Sequence, residues 1–165
     1  VEQLKPSFVW TFTEKDAEGN VLSVETVRNL IPVEGLNYIL NASFKGGTQH
    51  ATLYCGLFEG NYVPLTTDTM ATFPTNATEC TAYTSTTRPA VTFGTVSSGN
   101  MDNLSNLTEF TGNADKTVYG GFLSTSAAKG GTTGVLCSVV RAPTVKQLSN
   151  GGRLEVALAF QFVSV

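Results

Sequence analysis

The segment Ala51 to Glu59 (ATLYCGLFE) is a nearly continuous apolar run, set between Gly46-Gly47 before it and Gly60-Asn61 and Pro64 after it. A run of strand length with no polar alternation is the signature of a strand buried on both faces. Such a strand needs a layer on each side, and the residues just before it offer one. Pro32 suits a first helical turn, where its missing N–H would be unpaired anyway. Glu34 favours the positive end of a helix dipole, and Leu36, Ile39, Leu40 and Phe44 fall at helical spacing on one expected apolar face. Gly46-Gly47 supplies the left-handed conformation that helix C-termini favour. A helix over about residues 33–45 is too short to stand alone, so its apolar face is expected to pack on a sheet. A charge at Leu40 or Leu57 is accordingly expected to unfold the chain.

The rest reads as strands and turns. Ser7 to Thr13 (SFVWTFT) alternates Phe8, Trp10 and Phe12 against Val9, Thr11 and Thr13, a period-two pattern rich in aromatics. The charged stretch Glu14 to Asn20 ends in Gly19-Asn20, a hairpin tip, and Val21 to Asn29 returns as a second strand. Thr66 to Tyr83 reads as a long polar connection with one helical turn around Met70 to Phe73. Further strands are expected at Arg88–Gly94, Leu107–Gly112, Lys116–Ser124, Gly134–Val140 and Arg153–Val163. In the last of these, Leu154, Val156, Leu158, Phe160 and Phe162 face one way, and Glu155, Ala157, Ala159 and Gln161 the other. The intervening turns (SSGN, GNAD, AKGGTTG, SNGG) recur at sandwich or barrel spacing.

No internal repeat and no break in composition divides the 165 residues, which are enough for one well-packed domain. The expectation is a single mainly β domain over 1–165 with an N-terminal hairpin or arm over about residues 1–28. Its leading architecture is a jelly-roll-like antiparallel β-sandwich of about eight strands with one short α-helix, a closed barrel coming second.

Composition narrows the function classes. Charged residues are 14% of the chain and hydrophobic ones 41%, against roughly 25% charged in an average soluble protein. The polar remainder is largely Thr, Ser, Asn and Gly, which suits β-structure with uncharged polar faces and not disorder. The net charge is −3 and the ten Lys and Arg are scattered, which disfavours a nucleic-acid partner, since phosphates are held by clustered cations. No run approaches the roughly 18 apolar residues of a membrane span, and VEQLKPSFVW lacks signal-peptide order. The initial Val1 fits either removal of an initiator Met or trimming of a precursor. Cys55, Cys80 and Cys137 are odd in number and widely spaced, which favours three free thiols from a reducing cytoplasm over one disulfide plus a spare thiol.

No catalytic, cofactor or metal constellation emerges. His50, the single histidine, has no nearby carboxylate to orient it as a base and reads as a loop-edge polar residue. Asp16/Glu18 and Glu25/Glu34 are the carboxylate pairs nearest to a glycosidase pattern, which requires roughly 5 to 10 Å across a cleft, but a solvated hairpin loop explains the first pair better. Gly120-Gly121 and Gly130-Gly131 lack the strand, glycine turn and helix order of a phosphate loop. Asp68, Asp102 and Asp115 lack the dense acidic spacing of a calcium loop. The sequons at Asn41, Asn76, Asn103 and Asn106 are of the kind a Ser/Thr-rich chain carries by chance, and Asn41 falls on the expected helix. The aromatics Phe8, Trp10 and Phe12 have two readings: anchors at a subunit contact, or filling of the sandwich core.

The order of several short motifs resembles a family of small proteins of tailed bacteriophages. They are NLIPVEGLNYIL (Asn29–Leu40), GGTQHATLYCGLFEGNYVP (Gly46–Pro64), Phe73-Pro74, Glu79-Cys80-Thr81-Ala82-Tyr83, Thr87-Arg88-Pro89, Gly120-Gly121-Phe122-Leu123 and Ser126-Ala127-Ala128-Lys129-Gly130-Gly131. In that family a GLN helix, a YxGL strand, a Y…RP segment and a G.FL…S..KG hairpin recur in this order. The resemblance spans Arg28 to the C-terminus, and the first hairpin is outside it. Cys55 stands where the family pattern has an ordinary apolar residue. The resemblance implies a non-enzymatic virion structural protein, most like a capsid cement or decoration protein. Its partners would be the major capsid protein and further copies of itself, as a dimer or trimer, on the outer surface of the capsid. The alternative is a tail- or fibre-associated adhesin binding host glycans. A glycan-cleaving enzyme on the same scaffold would need two carboxylates facing across a groove.

Overall fold

The structure is a computed structural model and describes residues 6–162. Residues 1–5 of the expected arm, and Val163 at the end of the last expected strand, lie outside the described residues. The chain forms an antiparallel β-sandwich of two five-stranded sheets. The first contains β1 (Ser7–Lys15), β2 (Val21–Arg28), β6 (Asn100–Asp102), β7 (Thr108–Thr111) and β10 (Arg153–Gln161), in the order β2-β1-β10, with β6 and β7 both pairing β10. The second contains β3 (Leu53–Phe58), β4 (Glu79–Cys80), β5 (Ala90–Val91), β8 (Lys116–Ser124) and β9 (Leu136–Leu148), in the order β3-β8-β9, with β4 and β5 both pairing β3. The long strands stand where period-two or continuous apolar patterns place them. The short β4 and β6 lie in segments whose sequence reads as connection or turn.

Both sides of the sandwich carry backbone stitches between the sheets. On one side Leu30 N donates to Val139 O at 2.8 Å, and Val139 N returns to Leu30 O at 2.9 Å. On the other, Thr84 N donates to Thr111 O at 2.9 Å and Asn113 N to Ala82 O at 3.2 Å. These bonds satisfy backbone groups that open sheet margins would leave to water.

The main core lies between the sheets. Phe8, Trp10 and Phe12 from β1 and Leu154, Val156, Leu158 and Phe160 from β10 meet Cys55, Leu57, Leu123 and Val140 of the second sheet. A smaller cluster, Phe58, Met70, Phe73, Ala77, Phe122, Leu136 and Val139, covers the opposite face of the second sheet. That sheet is therefore buried on both faces, which accounts for the unbroken apolar run in β3. Its outer cover comes from the connection after β3, with the one-turn helix α2 (Phe73–Asn76) three residues beyond the turn predicted at Met70–Phe73. Gly56 of β3 is opposite Phe122 of β8, and a Cβ added to Gly56 would penetrate the Phe122 ring.

The 12-residue helix, α1 (Val33–Phe44), stands where the sequence places it, and Gly46 takes φ +67 just after it. Its packing differs from the expectation. α1 lies chiefly on β9 rather than on β3, and only its first half meets the core, through Gly35, Leu36, Tyr38 and Ile39. Leu40 is 56% and Phe44 81% exposed, so the apolar face written over Leu36, Ile39, Leu40 and Phe44 is corrected to its N-terminal part. The physical reason is that the helix overhangs the margin of the sandwich, so its last turns have no sheet beneath them. The expectation that a charge at Leu40 unfolds the chain falls with it; Leu57, fully buried, keeps that role. Phe162, expected on the inward face of the last strand, is 54% exposed past the end of β10.

β9 also runs further than expected, through Pro143 to Leu148. Val118 pairs Lys146 while Gly120 pairs Arg141, so Ala142 to Val145 stand opposite Tyr119 alone. Proline is tolerated in a strand at such a bulge.

Candidate functional site

The three aromatics offered as anchors of a subunit contact are interior. Phe8 is buried, and Trp10 and Phe12 are wholly so. Trp10 Nε1 donates to Ser138 Oγ at 3.3 Å, and Asn29 Nδ2 donates to the same oxygen at 2.5 Å. Trp10 also stacks on Phe12 with ring centroids 5.8 Å apart. Their alternation on a strand facing the second sheet turns all three inward, so the interface reading of Phe8, Trp10 and Phe12 gives way to the core reading.

The titratable candidates are dispersed rather than convergent. Asp16 holds the first hairpin, accepting from Asn20 N at 2.7 Å and Asn20 Nδ2 at 2.8 Å, and the Asn20 amide holds its carboxyl below the usual range. Glu25 meets Lys146 Nζ at 2.9 Å and Thr144 N at 3.2 Å. Partial burial raises its pKa, but these bonds outweigh it and the net shift is downward. One oxygen of Glu34 accepts from Met70 N at 2.8 Å and Leu136 N at 2.7 Å, tying α1 to the α2 segment and to β9. Asp68 accepts from Tyr62 Oη and Leu65 N, both at 2.7 Å, and that phenol bond pushes Tyr62 up to about 12. Asp102 accepts from Leu104 N, and Asp115 from Asn150 N. His50 is exposed on a loop, its backbone N–H donating to Tyr38 Oη at 3.1 Å. Among the described residues, no three His, Cys, Asp or Glu side chains are grouped to hold a metal ion.

Cys55, Cys80 and Cys137 are free and buried. Burial raises all three thiols, Cys80 to about 11 and Cys137 to about 12. A thiolate nucleophile needs the opposite shift.

The densest polar constellation is structural. Arg88 is fully buried, its Nε and Nη2 meeting Glu79 Oε1 and Oε2 at 2.8 and 2.7 Å. Its remaining donors reach Ser126 O at 3.0 Å and Gly131 O at 2.7 Å. Glu79 accepts a further bond from Gly130 N at 3.1 Å. Beside it, Lys129 Nζ donates to Tyr83 O at 2.8 Å and Ser85 O at 2.7 Å, and lies 3.9 Å from the centre of the Tyr83 ring. The Glu79–Tyr83, Arg88-Pro89 and Ser126–Gly131 motifs are thus one knot, binding the loop before β5 to the loop before β9. The sequence carries each of these motifs, but nothing in its periodicity pairs them, because the partners lie in loops and in the two-residue strand β4.

The surface also carries apolar features. A groove of about 310 Å³ opens between α1 and the end of the first sheet, walled by Tyr38, Ile39, Leu53, Met101, Phe160 and Phe162. Its walls are mostly apolar and suit an apolar moiety rather than a charged substrate. Exposed aliphatic and aromatic side chains also stand on β2 (Val21, Leu22, Val24) and on the overhanging end of α1 (Leu40, Phe44). No protein-family model matches this chain, and no curated protein matches it.

Proposed function

We propose that this chain is a non-enzymatic structural protein of a tailed-phage virion, acting as a capsid cement or decoration protein that binds the major capsid protein shell and other copies of itself. The observation that carries the reading is large exposed apolar side chains on a domain that already has a complete core. Leu40, Phe44, Val21, Leu22 and Val24 stay outside while Trp10 and its neighbours fill the interior. Scattered exposed apolar residues are ordinary, but groups of them on one element mark contact surfaces. Low charge and abundant Thr, Ser and Asn suit a wet, broadly polar interface around such anchors. The order of the GLN, YxGL, Y…RP and G.FL…S..KG motifs supports the same assignment by resemblance. The test is to compare particles assembled with and without the protein. Particles lacking it are expected to lose contents at lower temperature, with purified protein restoring the wild-type transition. Unchanged heat resistance without it, or labelled protein found on the tail, contradicts the proposal.

A further inference from the structure

We infer that β2 is a strand-pairing interface, and that its occupant is the β2 of a second copy, the two first sheets joining edge to edge about a two-fold axis. Strand edges invite pairing with another chain, and proteins suppress this with short strands, proline, bulges or lysine. Every other sheet margin here is either very short or broken in the middle of its length. β4 and β5 have two residues each, β6 three and β7 four. β9 is interrupted by Pro143 and the Ala142–Val145 bulge. β2 has eight residues and no proline, glycine or lysine. Its one bulge, at Leu22 where Glu14 pairs Ser23 but Lys15 pairs Val21, lies at the hairpin end and leaves the register unbroken from Val9 opposite Arg28 to Glu14 opposite Ser23.

β2 ends its sheet, and its backbone pairs with β1 alone among the described residues. Val21, Leu22 and Val24 are 56%, 58% and 61% exposed. Apart from terminal Arg28, its one charge is Glu25, which is turned toward Lys146 and neutralised there.

The residue order selects both partner and register. Antiparallel pairing about a two-fold axis normal to the sheet keeps each side chain on its own face. Centring on Val24 brings the Val21–Leu22 bulge beside the partner's Thr26 and the partner's Val27. It aligns Ser23 with the partner's Glu25, and Val24 with the partner's Val24. That register puts Val24 on the axis with a Leu22 bulge toward each end of the paired segment, and it opposes no like charges. Centring on Glu25 sets two carboxylates face to face, which is unfavourable. The inference deepens the self-association proposed above and rests on that reading in taking a second copy as partner.

Sedimentation velocity on wild type, Val24→Lys, Val24→Glu and an equimolar mixture of the two variants tests it. Because Val24 is exposed, both variants should keep wild-type Trp10 fluorescence. Wild type is expected to be a dimer, and each variant alone to dissociate at least ~10-fold more readily, since like charges meet at the axis. The mixture should regain the dimer. A wild-type protein still monomeric at about 1 mM, a trimer, variants that dimerise as wild type does, or a mixture that stays monomeric overturns it. Occupancy of the same variants on particles separates the two proposals. Monomeric Val24→Lys on capsids leaves the capsid reading standing without the edge pairing as its means. A β2-dependent dimer absent from capsids supports the edge and overturns the capsid reading.

Discussion

Removing the Arg88 guanidinium should be among the most damaging single changes outside the apolar core. In Arg88→Met, Glu79 loses both of its charge-assisted bonds, and its side chain is only 3% exposed. Ser126 O and Gly131 O lose their donors as well, while Gly130 N remains as one bond to the stranded carboxylate. Breaking one partner of a buried ion pair costs about 3–5 kcal/mol, so the loss expected here is about 4 kcal/mol, a large share of the ~5–15 kcal/mol that holds a domain together. Most of it comes from the orphaned carboxylate. Adding Glu79→Leu to Arg88→Met should therefore recover about 1–3 kcal/mol, a coupling typical of contacting residues. Trp10, the single tryptophan and fully buried, reports the transition in urea by fluorescence. An Arg88→Met protein within ~1 kcal/mol of wild type, or a double variant no better than the single one, would refute the assignment of Arg88 as the knot of these loops.

Gly56→Ala should destabilise by about 1–3 kcal/mol through overpacking against the Phe122 ring, measured by the same titration; an unchanged midpoint would contradict the packing described. Leu57→Asp should fail to fold, while Leu40→Asp should remain within ~0.5 kcal/mol of wild type, as surface changes do; circular dichroism melts distinguish them, and similar damage from both would contradict the overhang of α1. Because the folded state depresses the Glu25 carboxyl below its ordinary 4.5, its contribution is present above that value and is lost as pH falls through the lower folded value. Glu25→Gln should flatten that acid part of the stability profile, and identical profiles would count against the Lys146 pairing.

The sequence exposes periodic features and conceals paired ones. β10 is plain in the alternation of Leu154, Val156, Leu158 and Phe160, because one face meets core and the other does not. β3 is plain as an unbroken run because cover lies on both sides of it. The helix boundaries follow from Pro32 and Gly46, but its buried stripe does not, since spacing cannot show that Leu40 and Phe44 overhang the sheet. The strand expected at Gly134–Val140 stops short of Pro143, and only the bulge opposite Tyr119 lets β9 continue through it. For the aromatics of β1, alternation establishes that Phe8, Trp10 and Phe12 share a face, and only the opposing sheet reveals that the face is interior. Arg88 and Glu79 are both visible in motifs, yet their bond depends on loops that have no period to read. The motifs most suggestive of kinship thus hold the fold together, and the surfaces proposed for contact lie on β2 and the end of α1.

A density map of the intact virion tests the capsid assignment most directly. The sandwich should appear on the outer surface of the head, over the joins between capsomers, with apolar surface of β2 or α1 in contact. Density for this domain in the tail or its fibres, or none on the particle, would contradict it.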